Sequence, residues 1–127
     1  MAMNYLPFTV RIDVLTTFPE LFSGSPSGVL GVSIPSRAIA AGALSVHATN
    51  IRDFTTDKHQ KTDDRPFGGG PGMVMLCQPL WDAVQAVEAL DDVQPARLAL
   101  RVLLTPQGVS LTQAMVERLA TEPRLLM

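Results

Sequence analysis

Residues 8–16 alternate, with Val10, Ile12 and Val14 on one side, and this period of two predicts a buried strand. Thr17, Phe18, Pro19 and Glu20 follow; Thr17 is a candidate cap and Pro19 suits a first helical turn. Residues 23–31 hold three glycines, three serines and a proline and read as a loop. A helix restarts at Ser33-Ile34-Pro35-Ser36, runs through Ile39 and stops near Gly42. Leu44, Val46 and Ala48 mark a second strand. Residues 50–72 then show little apolar periodicity, and a polar segment of that length inside a compact domain is usually functional or disordered.

Regular structure returns at Gln78 and Pro79. Leu80, Ala83, Val84, Val87 and Leu90 recur at helical spacing, closed by Asp91 and Asp92. Residues 98–104 form a nearly continuous apolar run, which predicts a strand covered on both faces. Thr105-Pro106-Gln107-Gly108 turns the chain, and Leu111, Met115, Val116 and Leu119 predict a further helix with Ser110 as its N-cap. Residues 124–127 read as the opening of another buried strand. Alternating strands and helices without an internal repeat imply an α/β fold, a parallel sheet flanked by helices. Termini normally lie in polar surface segments, so an apolar strand start at Met127 predicts a fragment of a longer protein.

Composition narrows this picture. At 127 residues the chain is long enough for one domain with a real core, and 46% hydrophobic against 17% charged residues is a globular balance. The single Cys77 excludes an internal disulfide framework or a multi-cysteine metal site and fits a reducing cytoplasm. The first residues lack the pattern of a signal peptide, and no stretch has the apolar length of a membrane span. A formal charge of −2 argues against a broadly basic surface, so any RNA contact must be local.

The chemistry concentrates in Asp63-Asp64-Arg65-Pro66-Phe67-Gly68-Gly69-Gly70-Pro71-Gly72-Met73. Two carboxylates, an arginine, two prolines and four glycines make a shaped loop with few side chains. Such a loop suits a flat ligand or a phosphate. Two common nucleotide loops are excluded by register: Met73 and Val74 stand where a Walker loop needs Lys and Ser/Thr, and Met73 where a dinucleotide fingerprint needs glycine. A tight structural loop remains the alternative. Thr105-Pro106-Gln107-Gly108 lies at the carboxyl end of a predicted strand, where open α/β sheets bind ligands, although Pro/Gly turns are common there. Arg52, Lys58, Lys61 and Arg65 are balanced by Asp53, Asp57, Asp63 and Asp64, so this stretch reads either as a solvated salt-bridged loop or as a positioner of RNA. His59 has no metal-ligand partner at suitable spacing. His47 falls in a strand and reads as structural, and Cys77 at a helix start reads as a buried structural thiol.

Taken in order, Thr17-Phe18-Pro19-Glu20-Leu21-Phe22, Ile51-Arg52-Asp53-Phe54-Thr55, the intact run 63–73, Gln78-Pro79-Leu80 and Thr105-Pro106-Gln107-Gly108 resemble the bacterial tRNA (guanine-N1)-methyltransferases, the TrmD family of the SPOUT class. The resemblance runs from about Val10 to Met127. It implies transfer of methyl from S-adenosylmethionine to N1 of the guanine 3′ of the tRNA anticodon (position 37), by a cytoplasmic homodimer with a trefoil-knotted α/β domain. By resemblance, Leu103, Leu104, Thr105, Pro106 and Gln107 form the first loop around the methyl donor. His59, Asp63, Arg65, Pro71 and Gly72 hold the target guanine and its neighbour. The catalytic base, a second cofactor loop, the knot and the C-terminal tRNA-binding domain are expected beyond Met127, so the fragment alone is expected to be inactive. Thr105 replaces the family's usual serine, keeping the hydroxyl, and Leu103 fills an often aromatic position. Residues 23–33 depart from the family pattern. Two other readings are a non-catalytic RNA- or protein-binding module reusing the half-domain and a SPOUT methylase for another RNA position.

Overall fold

The computed structural model describes residues 9–22, 28–90 and 98–127. Strand β1 (Val10–Thr16) pairs in parallel with β2 (Leu44–Asn50) from Val10↔Leu44 to Thr16↔Asn50. Helix α1 (Ser33–Ala40) connects them and ends at Gly42, whose φ of +71° favours a residue without Cβ. The chain then makes a 3-10 turn (Ile51–Phe54), a small antiparallel hairpin of β3 (Asp63–Asp64) and β4 (Val74–Met75), and helix α2 (Cys77–Glu88). Strand β5 (Leu100–Arg101), helix α3 (Gln113–Leu119) and strand β6 (Arg124–Leu126) complete it. The main sheet is ordered β2-β1-β6-β5, all parallel.

Period two along the strands assigns their faces. Leu15 and Leu126 pack with Val84, Val87 and Ala99 against α2. Val10, Ile12 and Leu125 point to the other side, towards Val116 and Leu119 of α3, across an apolar groove of about 340 Å³. β6 is buried at all three residues because it sits between β1 and β5. The buried strand expected to open at residues 124–127 is therefore present.

Four details differ from the sequence reading. The apolar run 98–104 is not covered on both faces: only Leu100 and Arg101 form strand, at the sheet edge, and Leu98, Leu103 and Leu104 are exposed. Its one ladder partner is the three-residue β6, and pairing ends after the Val102 N–H donates to the Leu126 carbonyl at 2.8 Å. The cap of α3 is Thr112, whose Oγ1 accepts from the Met115 N–H at 3.3 Å, rather than Ser110. The hydroxyl that closes the turn after β1 belongs to Thr16, which accepts from the Phe18 N–H at 3.0 Å, and Pro19–Phe22 is a 3-10 turn. Cys77 is exposed and so is not a buried thiol, while His47 lies in β2 as read from sequence, with its side chain exposed. Phe8, residues 23–27 of the Ser/Gly loop and the Asp91-Asp92 helix end lie outside the described residues.

Asp13 is the largest fully buried side chain in the fold, 1% exposed in the middle of β1. Its carboxylate accepts from Arg11 Nε and Nη2 and, at 2.8 Å, from Arg124 Nε. Arg124 also donates through Nη2 to the Val87 carbonyl at 2.6 Å, near the end of α2. Buried charge needs this degree of satisfaction. The cluster ties β1, β6 and α2 together behind the site.

Candidate functional site

At the carboxyl end of β1, β6 and β5 the sheet opens into a cleft of about 450 Å³ with mostly apolar walls. Parallel strands deliver their C-terminal loops to one edge, which is where open α/β sheets bind ligands. Its volume falls in the usual range for small-molecule sites. The strand ends contribute Val14, Leu15, Leu126 and Met127, and α2 contributes Leu80 and Val84. The loop after β5 supplies Leu103 and Leu104, and β4 supplies Met75.

That last pairing joins two segments remote in sequence. The loop after β5 and the base of the glycine hairpin both line this cleft. Thr105, Pro106 and Gln107 follow Leu104 just outside the cleft lining, in a turn closed by the Gly108 N–H on the Thr105 carbonyl (3.0 Å), and the Thr105 hydroxyl accepts from the Gln107 N–H at 3.3 Å. His59, Asp63, Arg65, Pro71 and Gly72 are exposed and do not line the cleft. They are carried by one local framework instead. The Asn50 side chain accepts from the Arg52 N–H at 3.1 Å and starts the 3-10 turn at the end of β2. Arg52 Nη1 then donates to the Gln60 carbonyl at 3.0 Å, pinning the 55–60 loop. Asp57 Oδ2 accepts from the His59 and Lys61 backbone N–H groups, which orders His59 without engaging its ring. Thr62 is buried, and its carbonyl receives the Leu76 N–H at 2.8 Å, closing the hairpin base against α2.

The charged stretch 52–65 is not laced by ion pairs: the three described ion pairs lie on β1, β5, β6 and α2. Its carboxylates serve the backbone, Asp57 as above and Asp64 through the Arg65 N–H at 2.7 Å. Arg101 was not singled out by sequence. It borders the cleft, is gripped by Glu88 through two hydrogen bonds of 2.8 and 2.7 Å, and stands 5.9 Å over the Trp81 ring. Hydrogen bonding to Arg101 holds the Glu88 carboxyl below its ordinary value, against the opposing effect of burial. The signal for it was a lone cation inside the apolar run 98–104.

These features define an α/β domain with an apolar cleft at the carboxyl edge of a parallel sheet and a glycine-rich hairpin whose base reaches it. The chain belongs to the tRNA (Guanine-1)-methyltransferase TrmD family, whose model matches residues 10–127. It is 48% identical over 118 residues to a tRNA (guanine-N(1)-)-methyltransferase of Chloroflexus aurantiacus, covering 93% of this chain and 44% of that protein. A protein of the same name from Ruminiclostridium cellulolyticum is 44% identical, with 93% of this chain and 47% of the relative covered. The crystal structure of tRNA (m1G37) methyltransferase from Aquifex aeolicus superposes with a TM-score of 0.77 at 28% identity, over 93% of this chain and 49% of that one. The chain thus spans about half the length of the relatives it matches. No helix among the described residues is long and apolar enough to cross a membrane.

Proposed function

We propose that the whole protein is an S-adenosylmethionine-dependent tRNA (guanine-N1)-methyltransferase acting on the guanine 3′ of the anticodon, at position 37, as a cytoplasmic homodimer. The observation that carries this reading is the lining of the cleft, which takes in both the Leu103-Leu104 loop and Met75 at the base of the hairpin. A donor held at the first loop and a base held by the second would then lie side by side.

The residues suit the donor. An apolar cleft of about 450 Å³ fits the adenine face of S-adenosylmethionine, and the exposed Thr105-Pro106-Gln107 turn offers backbone groups to its polar edge. When bound, the donor supplies an electrophilic methyl group. The hairpin suits the acceptor, because positive φ at Gly68, Gly69, Gly70 and Gly72 leaves bare backbone against which a flipped base lies flat. His59, Asp63 and Arg65 offer donors and acceptors around it.

Guanine N1 carries a proton and is a weak nucleophile until a base removes it, and the charge left on O6 needs a hydrogen-bond donor. Asp63 is assigned to holding substrate, not to this proton. The base, the knot and the helical tRNA-binding domain that the resemblance implies are not assigned to any residue of 1–127. The test uses the full-length protein with labelled S-adenosylmethionine and a tRNA transcript, with the methylated atom mapped by mass spectrometry of the digested RNA. Label on guanine N1 at position 37, lost when that guanine is replaced, is the expected result. Label elsewhere, or none, refutes the assignment.

A further inference from the structure

We propose that Phe67 is a stacking platform for an unpaired nucleobase of the substrate RNA next to the target guanine. This rests on the function proposed above and extends it to a residue with no role so far. Phe67 is fully exposed, at 109% of its reference area, and it lines neither of the two apolar clefts described above. Local structure holds it there. The Gly69 N–H donates to the Pro66 carbonyl at 3.0 Å, and Gly68 follows Phe67 with φ +84°, the pattern of a tight turn that needs glycine at its third position. Pro66 precedes it with a fixed φ. The chain thus sets the aromatic ring at the corner of a closed turn.

The surroundings are equally bare. A Cβ built on Gly68, Gly69, Gly70 or Gly72 would meet no heavy atom within 4 Å. A ring projecting from such a surface has room on its faces for a flat partner. Below it, β3 and β4 pair at Asp63↔Met75 and Asp64↔Val74, so the turn is tied to the strand whose Met75 borders the cleft.

Charge supports a base over a bare phosphate contact. Arg52, Lys58, Lys61 and Arg65 are matched by Asp53, Asp57, Asp63 and Asp64, so attraction to the RNA backbone is weak over this stretch. An aromatic face supplies affinity that needs no net charge, because every base has a π-face.

The test uses the full-length protein and a labelled anticodon stem-loop RNA, with affinity read by fluorescence anisotropy. Phe67→Ala and Phe67→Leu are expected to weaken RNA binding roughly 5- to 150-fold. Phe67→Tyr should restore it, and calorimetric binding of S-adenosylmethionine should be the same in all four proteins. Replacing single nucleotides beside the guanine by abasic sites should, at one position, cost the parent protein affinity and Phe67→Ala none. Parent-like binding by Phe67→Ala, or rescue by Leu as complete as by Tyr, overturns the stacking role. A lowered melting temperature or a changed oligomeric state for Phe67→Ala also overturns it, by showing the ring covered by protein. If the parent itself neither binds nor methylates the RNA, the proposed function fails as well; if it does both and Phe67→Ala matches it, only the platform fails.

Discussion

Gly72 has a φ of +84° and open space where a side chain would stand, so a substitution there acts through the backbone rather than through collision. A β-branched residue in that region carries strain on the order of 1–3 kcal/mol. It lies two residues before Val74, so the strain falls on the hairpin. In the full-length protein, Gly72→Val is expected to reduce tRNA methylation several-fold while leaving S-adenosylmethionine binding intact. Equal losses in methyl incorporation and in calorimetric donor binding would remove the hairpin from the substrate side. Asp13 poses the opposite case, a buried charge with no assigned chemistry. Asp13→Ala strands Arg124, whose side chain is 8% exposed, without its carboxylate. Breaking one side of a buried pair typically costs about 3–5 kcal/mol. The variant should unfold at markedly lower urea, and pairing it with Arg124→Met should recover much of the loss. An unchanged midpoint would show that water compensates the guanidinium. The run 63–73 was legible because its unusual composition is local. Asp13 was not, because its partner Arg124 lies 111 residues away and a lone carboxylate in a strand carries no signal of that distance.

Elements follow the same division between local and remote causes. β1 and α2 could be read from periodicity, since each buries one face of a regular repeat, α1 from its Ser33-Ile34-Pro35-Ser36 start and Gly42 stop, and the parallel arrangement from the alternation of strands and helices. The extent of β5 could not. Seven residues, six of them apolar, read as strand, yet only two pair, because the ladder is set by the length of β6. The helix α3 begins at Thr112's turn instead of Ser110's because the cap is chosen by which hydroxyl meets a free N–H, and both residue types qualify. Between α2 and β5, Glu88 and Arg101 form a clamp across the cleft edge. The Glu88 carboxyl is held below its ordinary value of 4.5, chiefly by its hydrogen bonds to Arg101. A depressed carboxylate contributes stability that is complete above that ordinary value and is lost as pH falls through the lower, folded-state value. Glu88→Gln should therefore be less stable than the parent at neutral pH, and the gap should close as the pH is taken below 4.5. The effect is modest because the Arg101 side chain is half-exposed and screened by water. A gap that stays constant across acid titration, followed by thermal melts, would mean the pair does not act through charge.

At the level of the whole molecule, the sheet gathers its loops at one edge but leaves that edge open. Small-molecule sites generally bury most of the ligand surface. Here Leu103 and Leu104 remain 81% and 78% exposed although they border the cleft, so the loop after β5 leaves it open to water. On the far face the groove between β1, β6 and α3 is also apolar and open. A donor lying in the cleft would keep contact with Leu103, Leu104 and the strand ends while much of its surface stayed in water. The 127-residue chain alone should accordingly bind S-adenosylmethionine at least roughly a hundredfold more weakly than the full-length protein, a difference of about 2.7 kcal/mol. Parallel calorimetric titrations of the two proteins measure this directly. Equal affinity would place the complete donor site within these residues, and the exposure of Leu103 and Leu104 would then have to be relieved by closure of the loop they belong to.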